Sequence, residues 1–64
     1  MTILLNGAPW ETRAASLAEL LDEGGFGLRV ATALNGDFVP AGLRAATPIR
    51  DGDRIEVVAP MQGG

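Results

Sequence analysis

The most reactive group this sequence offers is its last one. Gly63 and Gly64 close the 64-residue chain. Two residues without side chains can thread a narrow channel of another protein and present the Gly64 carboxylate to a site that would exclude anything larger. Glycine adds no core contact and loses the most backbone entropy on ordering, so Met61-Gln62-Gly63-Gly64 is expected to be a mobile extended arm. With nine glycines in 64 residues, chance alone would place such a pair at the end at a rate of about 2%. The pair is therefore weak by itself and gains meaning from the rest of the chain.

The rest of the chain lacks the side chains that usually do chemistry. There is no Cys, His or Tyr, and all five basic residues are arginine. Without thiol or imidazole there is no nucleophile–base pair of the usual kind, and without lysine no Schiff base. The expectation is a protein that is not an enzyme, with no catalytic residue assigned. The preferred ligands of zinc and iron–sulfur clusters are missing and a disulfide framework is excluded. Asp51, Asp53 and Glu56 read as a solvated turn and strand face, so no metal site is expected. A chain without lysine cannot accept an isopeptide bond on a side chain, and any covalent link to another protein would use a terminus. The net charge of −3 and a pI near 4.5 oppose binding to a phosphate backbone, so nucleic acid is not an expected partner. Met1 to Leu5 has no basic n-region, and no apolar run is long enough to cross a bilayer. The chain is read as cytoplasmic, with no membrane partner.

Elements that could position the arm follow from the punctuation. A composition of 47% hydrophobic and 20% charged residues is that of a folding chain, and its length allows one domain, placed at 1–60 with the tail at 61–64. Thr2 to Leu5 is a short strand, Asn6-Gly7 a tight hairpin turn and Trp10 to Arg13 the returning strand, with Pro9 at the turn or an edge. Ser16-Leu17-Ala18-Glu19 fits a capping box. Leu17, Leu20 and Leu21 then form one apolar helical stripe, which Gly24-Gly25 ends. The Ser16 site faintly resembles the phosphopantetheine attachment site of acyl carrier proteins, but those are helical bundles and the hydroxyl is read as a cap. Val30 to Leu34, a turn at Asn35-Gly36-Asp37, and Phe38-Val39-Pro40 make a second hairpin. Ala41 to Arg50 is irregular, with Leu43 and Ile49 tucked under that hairpin and Pro48 opposing a helix. After a turn at Asp51-Gly52-Asp53, Arg54 to Ala59 is the closing strand, with Ile55, Val57 and Ala59 on its inner face.

Two hairpins flanking one helix predict an α+β fold, a β-grasp in which the helix lies across a mixed sheet as a two-layer roll. The first and last strands are expected to be parallel neighbours at the sheet centre. The predicted core is Ile3, Leu5, Leu17, Leu20, Leu21, Val30, Leu34, Ile55 and Val57. Leu4 and Val58 fall on the outer face and, with Phe38, form a candidate partner-docking patch. Trp10 could extend it too, although core or turn packing is the plainer role for both Trp10 and Phe38.

In order and spacing, Ile3-Leu4-Leu5-Asn6-Gly7, Leu17-Ala18-Glu19-Leu20-Leu21, Asn35-Gly36-Asp37-Phe38-Val39-Pro40, Asp51-Gly52-Asp53-Arg54-Ile55-Glu56-Val57-Val58 and Gly63-Gly64 resemble the ubiquitin-like sulfur carriers, most closely their thiamine-pathway branch. The resemblance spans essentially the whole chain, and Pro60-Met61-Gln62 departs from it where the family varies. It implies that Gly64 is adenylated by an adenylyltransferase of the ubiquitin-activating (ThiF) type, which supplies ATP and Mg²⁺. A persulfide donor protein would then convert Gly64 to a thiocarboxylate, and thiazole synthase (ThiG type) would receive the sulfur. Gly63 would serve recognition of the tail. Carriers for molybdopterin synthesis and ubiquitin-like protein modifiers use the same tail and stand as alternatives. A fourth reading, a binding module with an irrelevant tail, differs in surviving deletion of Gly63-Gly64.

Overall fold

A computed structural model describes residues 1–59. The elements run β1 (Thr2–Leu5), β2 (Ala8–Glu11), α1 (Leu17–Gly24), β3 (Ala31–Leu34), β4 (Asp37–Val39), a 3-10 helix (Ala41–Ala46) and β5 (Arg54–Val58). The five strands form one sheet in the order β2-β1-β5-β3-β4. β5 lies at its centre, parallel to β1 and antiparallel to β3. This is the mixed β-grasp sheet expected from two hairpins around one helix.

Each hairpin turns on an Asn-Gly pair. Asn6 and Asn35 both have φ 51°, followed by Gly7 at 83° and Gly36 at 90°, the paired positive values a two-residue turn between twisted strands requires. The first returning strand starts at Ala8, two residues earlier than the sequence suggests, because Pro9 is accommodated within it. Thr12 N–H donates to the Met1 carbonyl at 2.9 Å, and Leu4 faces Pro9. Alternation along an antiparallel pair then makes Leu4–Pro9 a non-hydrogen-bonded pair, so the missing N–H costs β1 nothing.

The helix starts as its cap dictates. Ser16 Oγ accepts from Glu19 N–H at 3.2 Å, while Glu19 Oε1 accepts from the N–H of Ala15, one residue before the cap, at 3.0 Å. Gly25 ends the helix at φ 69°. Gly24 leaves room for the Phe26 ring, whose edge a Cβ there would meet at 2.4 Å unless the ring moved. Leu17, Leu20 and Leu21 lie against Ile3, Leu5, Ile55 and Val57 of the sheet. Val30 and Leu34 are only partly buried, and Ala14, Val39 and Ile49 complete the core instead. Ala59 lies past the end of β5 and is exposed, not inner-facing.

The stretch before β5 departs most from the sequence reading. Pro48 does exclude an α-helix, but a 3-10 helix fits before it and stops at Thr47, whose extended backbone (φ −102°, ψ 103°) is what a following proline imposes. With three residues per turn, neighbouring residues 43 and 44 face different ways. Leu43 is exposed and Arg44, only 5% accessible, points in. Its Nε donates to Thr32 Oγ1 at 3.1 Å and Nη2 to the Val30 carbonyl, while Thr32 Oγ1 donates to the Val39 carbonyl at 2.9 Å. A buried guanidinium is tolerable only because its donors are met. The arginine pins the 3-10 helix to β3. No helix among the described residues is long and apolar enough to cross a membrane.

Two predictions follow from this packing. Ile55 is fully buried, so Ile55→Ala should lower the unfolding free energy by about 2–5 kcal/mol in urea denaturation, whereas an exposed change such as Phe38→Ala should cost less than about 0.5 kcal/mol. Glu23 accepts from Trp10 Nε1 at 3.3 Å and from Arg13 N–H at 3.2 Å. The Thr12 hydroxyl first, then the Arg13 amide, Trp10 and the N-terminal charge, hold its carboxyl below the ordinary value of 4.5, against some desolvation. A lowered folded pKa means these contacts contribute fully above pH 4.5 and are lost as the pH falls through the lowered value. Fluorescence of Trp10, the single tryptophan, should therefore report an acid transition below pH 4.5 that Glu23→Gln abolishes.

Candidate functional site

The tail itself, Gly63 and Gly64 with the assignments placed on them, lies outside the described residues. What the structure shows is the base from which it continues. β5 is the strand that leads there, and it is hydrogen-bonded along both edges. β3 pairs with it from Leu34 opposite Ile55 to Ala31 opposite Val58. β1 covers less of it, with Leu4 beside Arg54 and Leu5 beside Ile55. The last backbone bond from that side is Asn6 N–H to the Ile55 carbonyl at 2.9 Å, after which the chain turns away.

Side chains of the two turn asparagines extend the hold on β5 at both ends. Asn6 Oδ1 accepts from Val57 N–H at 2.8 Å and its Nδ2 donates to the Val57 carbonyl at 3.1 Å. On the opposite edge Asn35 Oδ1 accepts from Arg54 N–H at 2.9 Å, and Nδ2 donates to Asp53 Oδ1 at 3.1 Å. Asp53 also accepts from Arg50 N–H at 2.8 Å, and Asp51 from Thr2 N–H at 2.9 Å. These carboxylates are spent on the turn that starts β5. Among the described residues no three His, Cys, Asp or Glu side chains gather as a metal site would need.

The candidate docking residues share the outer face of the sheet, away from α1, but not one patch. Phe38 is 69% exposed, Val58 59% and Leu4 37%. In the register Phe38 sits beside Ala33, which sits beside Glu56, and Val58 sits beside Ala31. Phe38 and Val58 therefore stand on either side of a floor made by two small alanines. Leu4 lies across the charged pair Arg54 and Glu56, at a shallow depression of ≈ 430 Å³ that it lines with Asn6, Gly7 and Gly36. Trp10 does not extend this surface. It is opposite the inward Ile3, so it belongs to the helix face, where its ring lies 6.4 Å from that of Phe26 at 44°.

A larger concavity of ≈ 870 Å³ lies on the helix face between α1 and the 3-10 helix, lined by Ala18, Leu21, Leu28 and Ala45. Its ionisable residues are Asp22 and Arg44, and Arg44 is already committed to Thr32 and Val30. Neither concavity holds a nucleophile beside a base. What the described residues offer is an exposed apolar face and a closing strand bonded along both edges.

Sequence reasoning saw the Asn-Gly pairs as turns and missed that their amides clasp β5. It missed Arg44 altogether. The available signal was the repetition: of all turn formers, both hairpins use asparagine, the one that can also offer a donor and an acceptor side by side.

Comparison with known proteins agrees with this arrangement. The profile of the ThiS family matches residues 3–64. The sulfur carrier protein ThiS of Thermus thermophilus is 41% identical over 63 residues, covering 97% of this chain and 98% of that protein. The crystal structure of the thiamine biosynthesis protein ThiS from Geobacter metallireducens superposes with a TM-score of 0.83 at 32% identity, with both chains fully covered. An NMR structure of a thiamine biosynthesis protein from the same organism gives 0.81 at 30% identity, covering this chain entirely and 88% of the other. With its order of strands, its central closing strand and a match that runs through the final diglycine, the chain belongs to the ThiS family.

Proposed function

We propose that this protein is a sulfur carrier of thiamine biosynthesis and that the carboxylate of Gly64 is where the sulfur is loaded. The observation that carries the reading is the family match over residues 3–64, which includes Gly63 and Gly64, on a body whose described residues hold no catalytic constellation. The protein acts as a co-substrate of partner enzymes.

The chemistry follows from the weakness of a carboxylate as an electrophile. A Gly64 carboxylate oxygen attacks the α-phosphorus of ATP, held with Mg²⁺ by an adenylyltransferase of the ubiquitin-activating (ThiF) type, and pyrophosphate leaves. The acyl-adenylate carbonyl then accepts the terminal sulfur of a persulfide donor protein, with AMP as leaving group. A second thiol cleaves the resulting S–S bond, leaving a thiocarboxylate on Gly64 and a disulfide on the donor side. Thiazole synthase of the ThiG type takes the sulfur. Gly63 and Gly64 suit this sequence because a channel narrow enough to exclude water and larger residues admits them. Leu4, Phe38 and Val58 would hold the body while the tail is in the channel, apolar contacts on an otherwise charged face.

Intact mass before and after incubation with the adenylyltransferase, ATP and a persulfide donor tests the reading. One oxygen should be replaced by sulfur at Gly64, and the change should vanish when Gly64 is deleted. Adducts on lysines of other proteins would instead make the chain a modifier, and sulfur delivery to molybdopterin precursors would move it to that pathway. Phe38→Ser should raise the KM for adenylation about tenfold, the loss of one apolar anchor of about 1.4 kcal/mol, with an unchanged melting temperature because the ring is 69% exposed.

A further inference from the structure

Resting on the carrier reading above, we propose that Asn6 is a positioning residue for the reaction at Gly64: its side-chain amide fixes where and in which direction the chain leaves the sheet. The backbone of β1 abandons β5 at Asn6, whose N–H makes the last main-chain bond, to Ile55. Val57 is left with no β1 residue to pair. The Asn6 amide takes that vacancy, accepting from Val57 N–H and donating to its carbonyl across 51 positions of sequence. It offers the donor–acceptor pair that a further strand residue would have offered. Both main-chain groups of Val57 are thereby bonded to Asn6, while Thr32 faces it across the other edge as a non-hydrogen-bonded pair. Without the amide, the end of β5 would hang from β3 alone and could peel or pivot.

That difference matters at the far end of the tail. A channel that admits only extended backbone converts the position of its entry residue into the position of the carboxylate. One residue of slack at the base moves the terminus by about 3.4 Å, while displacement of a reacting group by about 1 Å can already cost a hundredfold in rate. Gly63 and Gly64 themselves have no side chains with which to correct the error. The fold also supplies its own control. Asn35 has the same φ, is followed by the same residue, and makes the same number of side-chain bonds to the same region of chain, but at Arg54 and Asp53, the opposite end of β5.

The test compares full chains carrying Asn6→Gly and Asn35→Gly, since glycine keeps the positive φ of each turn and removes only the amide. Adenylation by the activating enzyme and amide exchange of Val57 are measured together. For Asn6→Gly, kcat should fall about tenfold with KM within about twofold, because the docking side chains are untouched, and the Val57 amide should exchange at least about tenfold faster. Asn35→Gly should leave kcat and Val57 exchange unchanged. Asn6→Asp is tolerated at positive φ but sets a carboxylate oxygen against the Val57 carbonyl where Nδ2 donated, so it too should lower kcat with KM little changed, and it serves if Asn6→Gly does not fold. Equal losses of kcat in the two glycine variants would reduce Asn6 to a stabilising contact and overturn the proposal. So would fast Val57 exchange with an unchanged kcat. A wild-type chain that is not adenylated overturns the carrier reading itself, a result distinct from a defect seen only in the variants.

Discussion

Hydrogen bonding along both edges of β5 is the constraint on which everything else in this protein rests. The two hairpins are separate local structures, one before the helix and one after it, and neither touches the other through its own strands. β5 joins them, parallel to β1 and antiparallel to β3. The same strand places Ile55 and Val57 under the leucines of α1, so the sheet and the core are closed by one insertion. Arg44 and Thr32 secure the β3 side of that junction, and the asparagine amides secure its two ends.

Much of this was legible in the sequence because local signals and global arrangement agree. The Ser16 cap, the leucine stripe and the Asn-Gly turns are short-range chemistry, and each forms where its residues allow. The central place of β5 followed from hairpins that leave unpaired edges. Arg44 was illegible because a lone charged residue between Leu43 and Ala45, in a stretch without clear periodicity, reads as solvated surface. Only the three-residue period of the 3-10 helix turns it inward, toward oxygens supplied by distant residues. Leu43 was misplaced for the same reason. Leu4 and Val58 were placed on the correct face by strand alternation alone, whereas Phe38, read more plainly as packing, is exposed; alternation also cannot tell which residues are neighbours. That depends on register across four strands, β1, β5, β3 and β4, which sets Arg54 and Glu56 between Leu4 and the others.

The fold divides labour along its length. On the reading proposed above, residues up to Val58 are what partners hold, and the Gly64 carboxylate is the group that reacts. On the same reading, a sequence without Cys, His or Lys offers no thiol, imidazole or lysine amine to compete with the terminus for an activated acyl group or a persulfide. The outer face provides apolar contact without an enclosed cavity, which suits repeated binding and release by successive partners better than a deep pocket would. Burial of the helix on the opposite face leaves that surface independent of the core.

The parallel pairing of β1 with β5 bears on the order in which the molecule assembles. Bonds such as those of Asn6 to Val57 and Thr2 to Asp51 close nearly the whole chain into a loop, and contacts of that span form late because the entropy of closure must be met first. A lone hairpin has marginal stability in water, so a molecule with β5 undocked has no stable half to fall back on. Folding is thus expected to be all-or-none, with the grip and the base of the tail appearing in the same cooperative step. On the carrier reading proposed above, a partner that recognises the sheet therefore meets only chains in which the strand leading to the terminus is already docked.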